Sequence, residues 1–153
     1  VGMLLSESLP GVVDHLEAWG LRERIKVIAS GKLINPRGVA WALAVGADFV
    51  NSARGFMFAL GCIQAMQCNK NTCPTGVTTH DPRLQRGLVP ADKAERVAHF
   101  ARNMEKEVAM IAHSCGVPDP RGLTRRHARI MVAEGRSIGL DALYPPLPPR
   151  RLG

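Results

Sequence analysis

Cys62, Cys68 and Cys73 stand in the pattern C-x5-C-x4-C, with Pro74 directly after the third. Three thiols so close together can wrap one soft metal centre. A disulfide would use only two of them and needs an oxidising compartment, and the absence of a secretion signal argues against that. Structural zinc favours C-x2–4-C pairs and fits these spacings poorly, although His80 offers a fourth ligand. Thiolates strung across a loop and followed by Pro suit an iron–sulfur cluster better, and three ligands suit a cluster of three irons. Asn69, Lys70, Asn71 and Thr72 would then surround the sulfides with polar groups and backbone N–H donors. Spacing alone leaves a cluster, a zinc site and free reduced thiols all open.

Two shorter segments also bear on chemistry. Ser30-Gly31-Lys32 and Ala53-Arg54-Gly55 each follow a short run of strand character and read as turns. Gly permits close backbone approach, and Lys32 and Arg54 can neutralise a phosphate. Unaided, the signal is weak, because Ser-Gly-Lys after a strand is often merely a turn. Cys115 falls on the apolar stripe of a predicted helix and reads as a small buried hydrophobe. His80 reads as a turn or cap residue, and His15, His99, His113 and His127 as solvated or hydrogen-bonded helix residues. Met57, Met66, Met104, Met110 and Met131 read as core filler, and Arg125-Arg126-His127 as a solvated helix face. No Ser/His/Asp arrangement or carboxylate pair suggests hydrolysis, and no catalytic side chain can be named.

The elements that must position these residues follow from periodicity and punctuation. Pro10 to Trp19 is a predicted helix ended by Gly20. Ile25–Ala29, rich in β-branched residues, is a predicted buried strand stopping at Ser30-Gly31. Asn35-Pro36 starts a second helix, as N-cap and first helical residue, running to Val45 before Gly46. Asp48 to Ser52 is a second strand. A strand, a helix and a strand form a βαβ unit with parallel pairing. Residues 62–90 read as loop. Asp92 to Cys115 is the clearest helix, with Val97, Ala101, Met104, Val108, Ile111 and Cys115 on one stripe. Asp119-Pro120 is expected to open another helix to Glu134, and Tyr144 to Pro149 an extended tail.

At 153 residues, 46% hydrophobic and 22% charged, the chain has the composition of a soluble domain. No apolar run approaches the roughly 20 residues that cross a bilayer, so no membrane role is expected. The net charge of +7 is uneven: residues 120–153 carry seven Arg against Glu134 and Asp141. A basic tail can attract nucleic acid, but aromatic interleaving is lacking and no nucleic-acid module precedes it. Docking onto other protein is the expected role. Two parallel strands need cover on both faces, and a complete eight-stranded barrel needs at least about 200 residues. The rest of a barrel is therefore expected to lie outside this sequence, with Val1 the start of a cut from a longer chain.

The run Gly55-Phe56-Met57-Phe58-Ala59-Leu60-Gly61-Cys62-Ile63-Gln64-Ala65-Met66-Gln67-Cys68-Asn69-Lys70-Asn71-Thr72-Cys73-Pro74-Thr75-Gly76-Val77 closely resembles the FMN-binding synthase domain of glutamate synthases. The resemblance extends from near Pro10 to at least Gly139. It implies an α/β fold: the last two βα units of a TIM barrel (residues 1–61), an iron–sulfur cysteine loop (62–90), a helical extension (91–143) and a Pro/Arg-rich tail (144–153). It implies a 3Fe–4S cluster on Cys62, Cys68 and Cys73, and FMN with its phosphate at Ser30, Gly31, Lys32, Ala53, Arg54 and Gly55. Phe56 and Phe58 would pack the barrel end and shield the cluster. The implied reaction passes electrons through the cluster to FMN, which reduces 2-iminoglutarate, formed from 2-oxoglutarate, to L-glutamate. The implied partners are the remainder of the barrel, an electron-donor protein or reductase subunit and this small-molecule substrate, in the cytoplasm. An N-methylglutamate synthase-type subunit looks alike over this stretch. A stand-alone electron-transfer module and a zinc-stabilised basic module are the readings from other classes. The chain alone is expected to be inactive.

Overall fold

The computed structural model describes residues 2–150. The first helix, α1, runs Leu5–Ala18 and therefore starts five residues before the expected Pro10. Leu5, Leu9 and Val13 recur every four residues and face the core. Pro10 sits inside this helix and lacks the N–H that would bond the Ser6 carbonyl. The Tyr144 hydroxyl donates to that same carbonyl at 3.3 Å. The acceptor freed by proline thus finds a partner from the far end of the chain.

Strand β1, Ile28–Ser30, pairs in parallel with β2, Phe49–Asn51, in the register Ile28↔Phe49, Ala29↔Val50, Ser30↔Asn51. Both strands are shorter than expected. Between them lies α2, Pro36–Val45, with the bounds the cap signals predict: the Asn35 Oδ1 accepts from the Gly38 N–H at 2.9 Å. Gly46 closes it at φ 122°, and a Cβ there would sit 2.9 Å from Val13. Asp48 fixes the entry to β2. Its carboxylate accepts the Val27 N–H at 2.7 Å and pairs with Arg22 at 2.7 Å. These contacts outweigh partial burial and hold its pKa below the usual carboxylate range.

The core is built on two faces of α2. Ala42 and Val45 join Leu9, Val13, Ala29, Leu33, Ala47 and Leu140 on one side. Ala40 and Ala44 meet Ala112, Val117 and Leu123 on the other. The sheet's second face is uncovered: Ile28 and Phe49 are each 59% exposed, so β1 is not the buried strand expected.

Ala53–Leu60 forms helix α3, so Ala53-Arg54-Gly55 is the first turn of a helix and not a free-standing turn. Phe56 of α3 meets Phe100 edge-on, ring centroids 5.0 Å apart. The loop that follows contains only a 3-10 turn at Cys68–Lys70 and the short α4, Pro82–Gln85. The long helix α5, Pro90–Ser114, buries Val108 and Ala112. Cys115 lies just past its end as the C-cap and is exposed, which corrects the buried reading. Met66, Met110 and Met131 are exposed as well and do not fill the core.

The helix expected over 119–134 does not form. Pro120–Gly122 and Arg125–His127 are 3-10 turns, followed by an antiparallel hairpin of β3, Arg129–Ala133, and β4, Arg136–Gly139. Glu134-Gly135 makes its two-residue connection, with Gly135 in the left-handed region at φ 68°. A bulge between Met131 and Ala133 leaves Val132 outside the register. The short α6, Leu140–Leu143, then returns the chain to the core through Leu140.

Arg125 is not a solvated residue either. Its guanidinium contacts the buried Asp14 carboxylate directly, with side-chain exposures of 14% and 9%. It also donates to the Tyr144 carbonyl at 2.9 Å. The tail folds back on its own chain: the Arg150 N–H donates to the Ala18 carbonyl at 2.6 Å, and its guanidinium lies 5.7 Å from the Trp19 ring centroid. Of the basic tail, Arg150 meets its own chain, while Arg151 lies outside the described residues.

Arg125→Met removes one partner of a buried ion pair and leaves Asp14 uncompensated. Chemical denaturation should show a loss of about 3–5 kcal/mol. Pairing the change with Asp14→Leu should recover much of it. Equal stability of Arg125→Met and the wild-type chain would contradict the assigned role of the pair.

Candidate functional site

Helix α3 connects the two halves of the site. The parallel register brings the C-terminal ends of β1 and β2 side by side, so Ser30-Gly31-Lys32 and the start of α3 leave the same end of the sheet. At about 1.5 Å per residue, eight helical residues place Cys62 roughly 12 Å further along. Gly61 ends α3 at φ 106°. Its N–H bonds the Phe58 carbonyl at 2.9 Å, and the Cys62 N–H bonds Met57 at 3.0 Å. These two bonds form a Schellman motif, which sets the direction in which Cys62 leaves the helix.

Beyond Cys62 the chain turns sharply. Gln64, Met66 and Asn71 all have left-handed φ, between 54° and 61°. Such conformations are costly for residues with a Cβ and concentrate where a loop is held for a purpose. Asn71 also ties the loop shut. Its carbonyl accepts the Thr79 hydroxyl at 2.7 Å, and its Oδ1 accepts the His80 N–H at 2.6 Å. His80 therefore serves the turn through its backbone, as expected. Gln85 of α4 donates to the Thr79 carbonyl at 3.0 Å. Gly76, at φ 79°, allows the limb to lie on α4; a Cβ there would fall 2.4 Å from the Leu84 carbonyl oxygen.

The result is one small cavity lined by Cys62, Cys68 and Cys73, with Met57, Thr75 and Thr78. All three cysteines line this space without gathering at one point. Among the described residues no three His, Cys, Asp or Glu side chains gather closely enough for a single metal ion. The Thr75 hydroxyl lies 3.4 Å from Cys73 Sγ. This contact, with the Thr78 backbone N–H, lowers the Cys73 pKa to about 6. The Thr78 hydroxyl acts on Cys73 in the same direction, although its buried Oγ1 makes no well-formed hydrogen bond. Cys115 lies elsewhere, on an open groove between α2 and the end of α5.

At the other end of α3, Lys32 and Arg54 are exposed, as are Ser30 and Ala53. The left-handed residue of the first turn is Lys32, at φ 56°, and not Gly31. Each glycine answers to packing: a Cβ on Gly31 would lie 3.1 Å from Leu5, and one on Gly55 2.7 Å from Phe100. Ser52 Oγ is buried without a partner and does not cap α3.

The sequence reading found the cysteines but missed Thr75, Thr78, Thr79 and the Asn71 tie. The run Pro74-Thr75-Gly76-Val77-Thr78-Thr79 carried the signal, since hydroxyls so dense beside a thiol supply donors to it.

Residues 1–118 match a family described as a conserved region in glutamate synthase. The chain is 41% identical over 143 residues to the glutamate synthase large subunit-like protein YerD of Bacillus subtilis, covering 94% of this chain and 27% of that protein. It is 30% identical over 141 residues to the archaeal glutamate synthase [NADPH] of Methanocaldococcus jannaschii, covering 92% of this chain and 27% of that protein. The glutamate synthase [NADH] of Schizosaccharomyces pombe is 32% identical over 114 residues, which are 74% of this chain and 5% of that protein. The chain thus spans about a quarter of the length of the first two relatives. With the conserved region matched over most of its length, the chain belongs to the glutamate synthase family.

Proposed function

We propose that this chain is the cluster-bearing C-terminal part of an FMN- and iron–sulfur-dependent glutamate synthase. One observation carries the reading: Cys62, Cys68 and Cys73 line a single cavity at the end of the helix that begins beside β2. A 3Fe–4S cluster binds its thiolates on separate irons, so its ligands must ring a space, whereas one zinc ion needs them to converge. The donor set fits. Metal binding requires thiolates, and Cys73 already favours that form at neutral pH.

The opposite end of α3 fits a flavin phosphate. Its first N–H groups have no side-chain cap, the Ser52 hydroxyl is buried and unpartnered, and Lys32 and Arg54 supply exposed positive charge. A phosphate here would take Ser30, Gly31, Lys32, Ala53, Arg54 and Gly55 as neighbours. When bound, the cluster supplies one-electron transfer and the flavin supplies two-electron reduction of 2-iminoglutarate to L-glutamate. Helix α3 holds the two sites at a fixed spacing through its packing on α5.

The uncovered face of β1 and β2 supports a barrel completed by further strands of the enzyme. The proposed partners are that remainder, an electron-donor protein or reductase subunit, and 2-oxoglutarate with its imine. No helix among the described residues is long and apolar enough to cross a membrane. Free cysteines fit a reducing cytoplasm.

Anaerobic reconstitution with iron and sulfide tests the reading. Wild type and Cys115→Ala should load equally, while Cys68→Ala should lose the cluster. Equal loss in both variants would show that Cys115 is a ligand, and tight zinc binding without sulfide would replace the cluster by a zinc site.

In the metal-free reduced chain, the Cys73 thiolate fraction rises with pH through about 6. Alkylation by iodoacetamide, followed at the Cys73 peptide, should therefore be half-maximal near that pH. Thr75→Val should move the midpoint upward. A wild-type midpoint at the ordinary cysteine value, about 8.5, would contradict the Thr75 and Thr78 contacts.

A further inference from the structure

Thr78 lines the cavity shared by the three cysteines, on the limb that follows Cys73. Four threonines lie on this limb and at its start, and three have employment. Thr72 donates to Gln67 at 3.2 Å, Thr75 meets Cys73, and Thr79 joins the Asn71 carbonyl to the Asp81 N–H. Thr78 Oγ1 alone of the four is buried without a well-formed hydrogen bond, and the group it adjoins is the Cys73 thiol. A buried hydroxyl in that condition costs free energy, and its place beside a thiol that would ligate a cluster gives it a redox role. The limb that carries it is tied down. The Asn71–Thr79–Gln85 bonds fix one end, and the close approach of Gly76 to α4 fixes the middle.

We propose that the Thr78 hydroxyl donates a hydrogen bond to a sulfur of the cluster held by Cys62, Cys68 and Cys73, and thereby raises its reduction potential. The proposal rests on the iron–sulfur reading of the cavity. An electron added to the cluster places negative charge on its sulfurs. An O–H dipole aimed at one of them stabilises the reduced form more than the oxidised form. No bond is made or broken; one electron enters from the titrant. Thr78 is a positioning and tuning residue, not a ligand, and its cost to the metal-free fold is removed when the cluster arrives.

The test compares the wild-type chain, Thr78→Val and Thr78→Ser after anaerobic loading with ferrous iron and sulfide. Iron and sulfide content, a potentiometric titration followed by electron paramagnetic resonance, and the Tm of the metal-free proteins are read. Thr78→Val should load equally but titrate at a lower potential, and Thr78→Ser should keep the wild-type potential. Metal-free Thr78→Val, having lost an unpaired buried hydroxyl, should melt no lower than wild type. Loss of loading in Thr78→Val with retention in Thr78→Ser would also support the hydrogen bond. An unchanged potential in loaded Thr78→Val, or a lower Tm of its metal-free form, would overturn the proposal. Failure of wild type to take up sulfide with iron would instead overturn the cluster reading on which it stands.

Discussion

Helix α2 is buried on two sides, and the rest of the structure depends on that. Its alanines are small enough for neighbours to approach closely from both directions. On one side α1, β1 and Leu140 form a core that reaches from the start of the described chain almost to its end. On the other, Ala112 of α5 meets Ala40 and Ala44. Since α5 also receives α3 through Phe100, the helix that delivers Cys62 is positioned at second hand by α2. A bulkier residue at Ala42, which is fully buried, would push apart layers whose alignment sets both ends of the candidate site.

Rigid elements and an irregular loop divide the work between them. Helix α3 sets a distance and the Schellman turn sets a direction. The loop then brings two more thiols back to the first by three left-handed non-glycine residues and a hydrogen-bonded tie. A loop that must keep backbone donors and hydroxyls around sulfur cannot spend them on regular secondary structure. This explains why the most chemically loaded stretch of the chain has the least helix and strand.

Much of this was legible in the residues, wherever the determinants were local. Asn35, Pro36 and Gly46 bound α2 because a cap, a fixed φ and a left-handed terminus each act within one turn. The cysteine spacing likewise announces a loop able to wrap a soft centre. Long-range compensation was not legible. Pro10 looks like a helix start, yet Tyr144 supplies the hydrogen bond that lets the helix run through it. Arg125 looks solvated beside Arg126 and His127, yet its partner Asp14 is far away in sequence. The hairpin at 129–139 was a different failure. Glu134-Gly135 between two runs of strand formers is a local turn signal, and it prevails over the helix start that Asp119-Pro120 suggests. At Cys115 the apolar stripe extends one residue past the last helical turn, onto the C-cap, where the side chain is exposed.

The central claim is that the cysteine cavity encloses several irons and not one ion. X-ray absorption at the iron edge of the loaded chain tests it most directly. A shell of sulfur neighbours together with an iron–iron shell, and iron to sulfide in the ratio of a 3Fe–4S cluster, is the result the proposal predicts. A sulfur shell without iron–iron scattering would contradict it, because a mononuclear site would need the three thiolates to meet where the structure holds them apart.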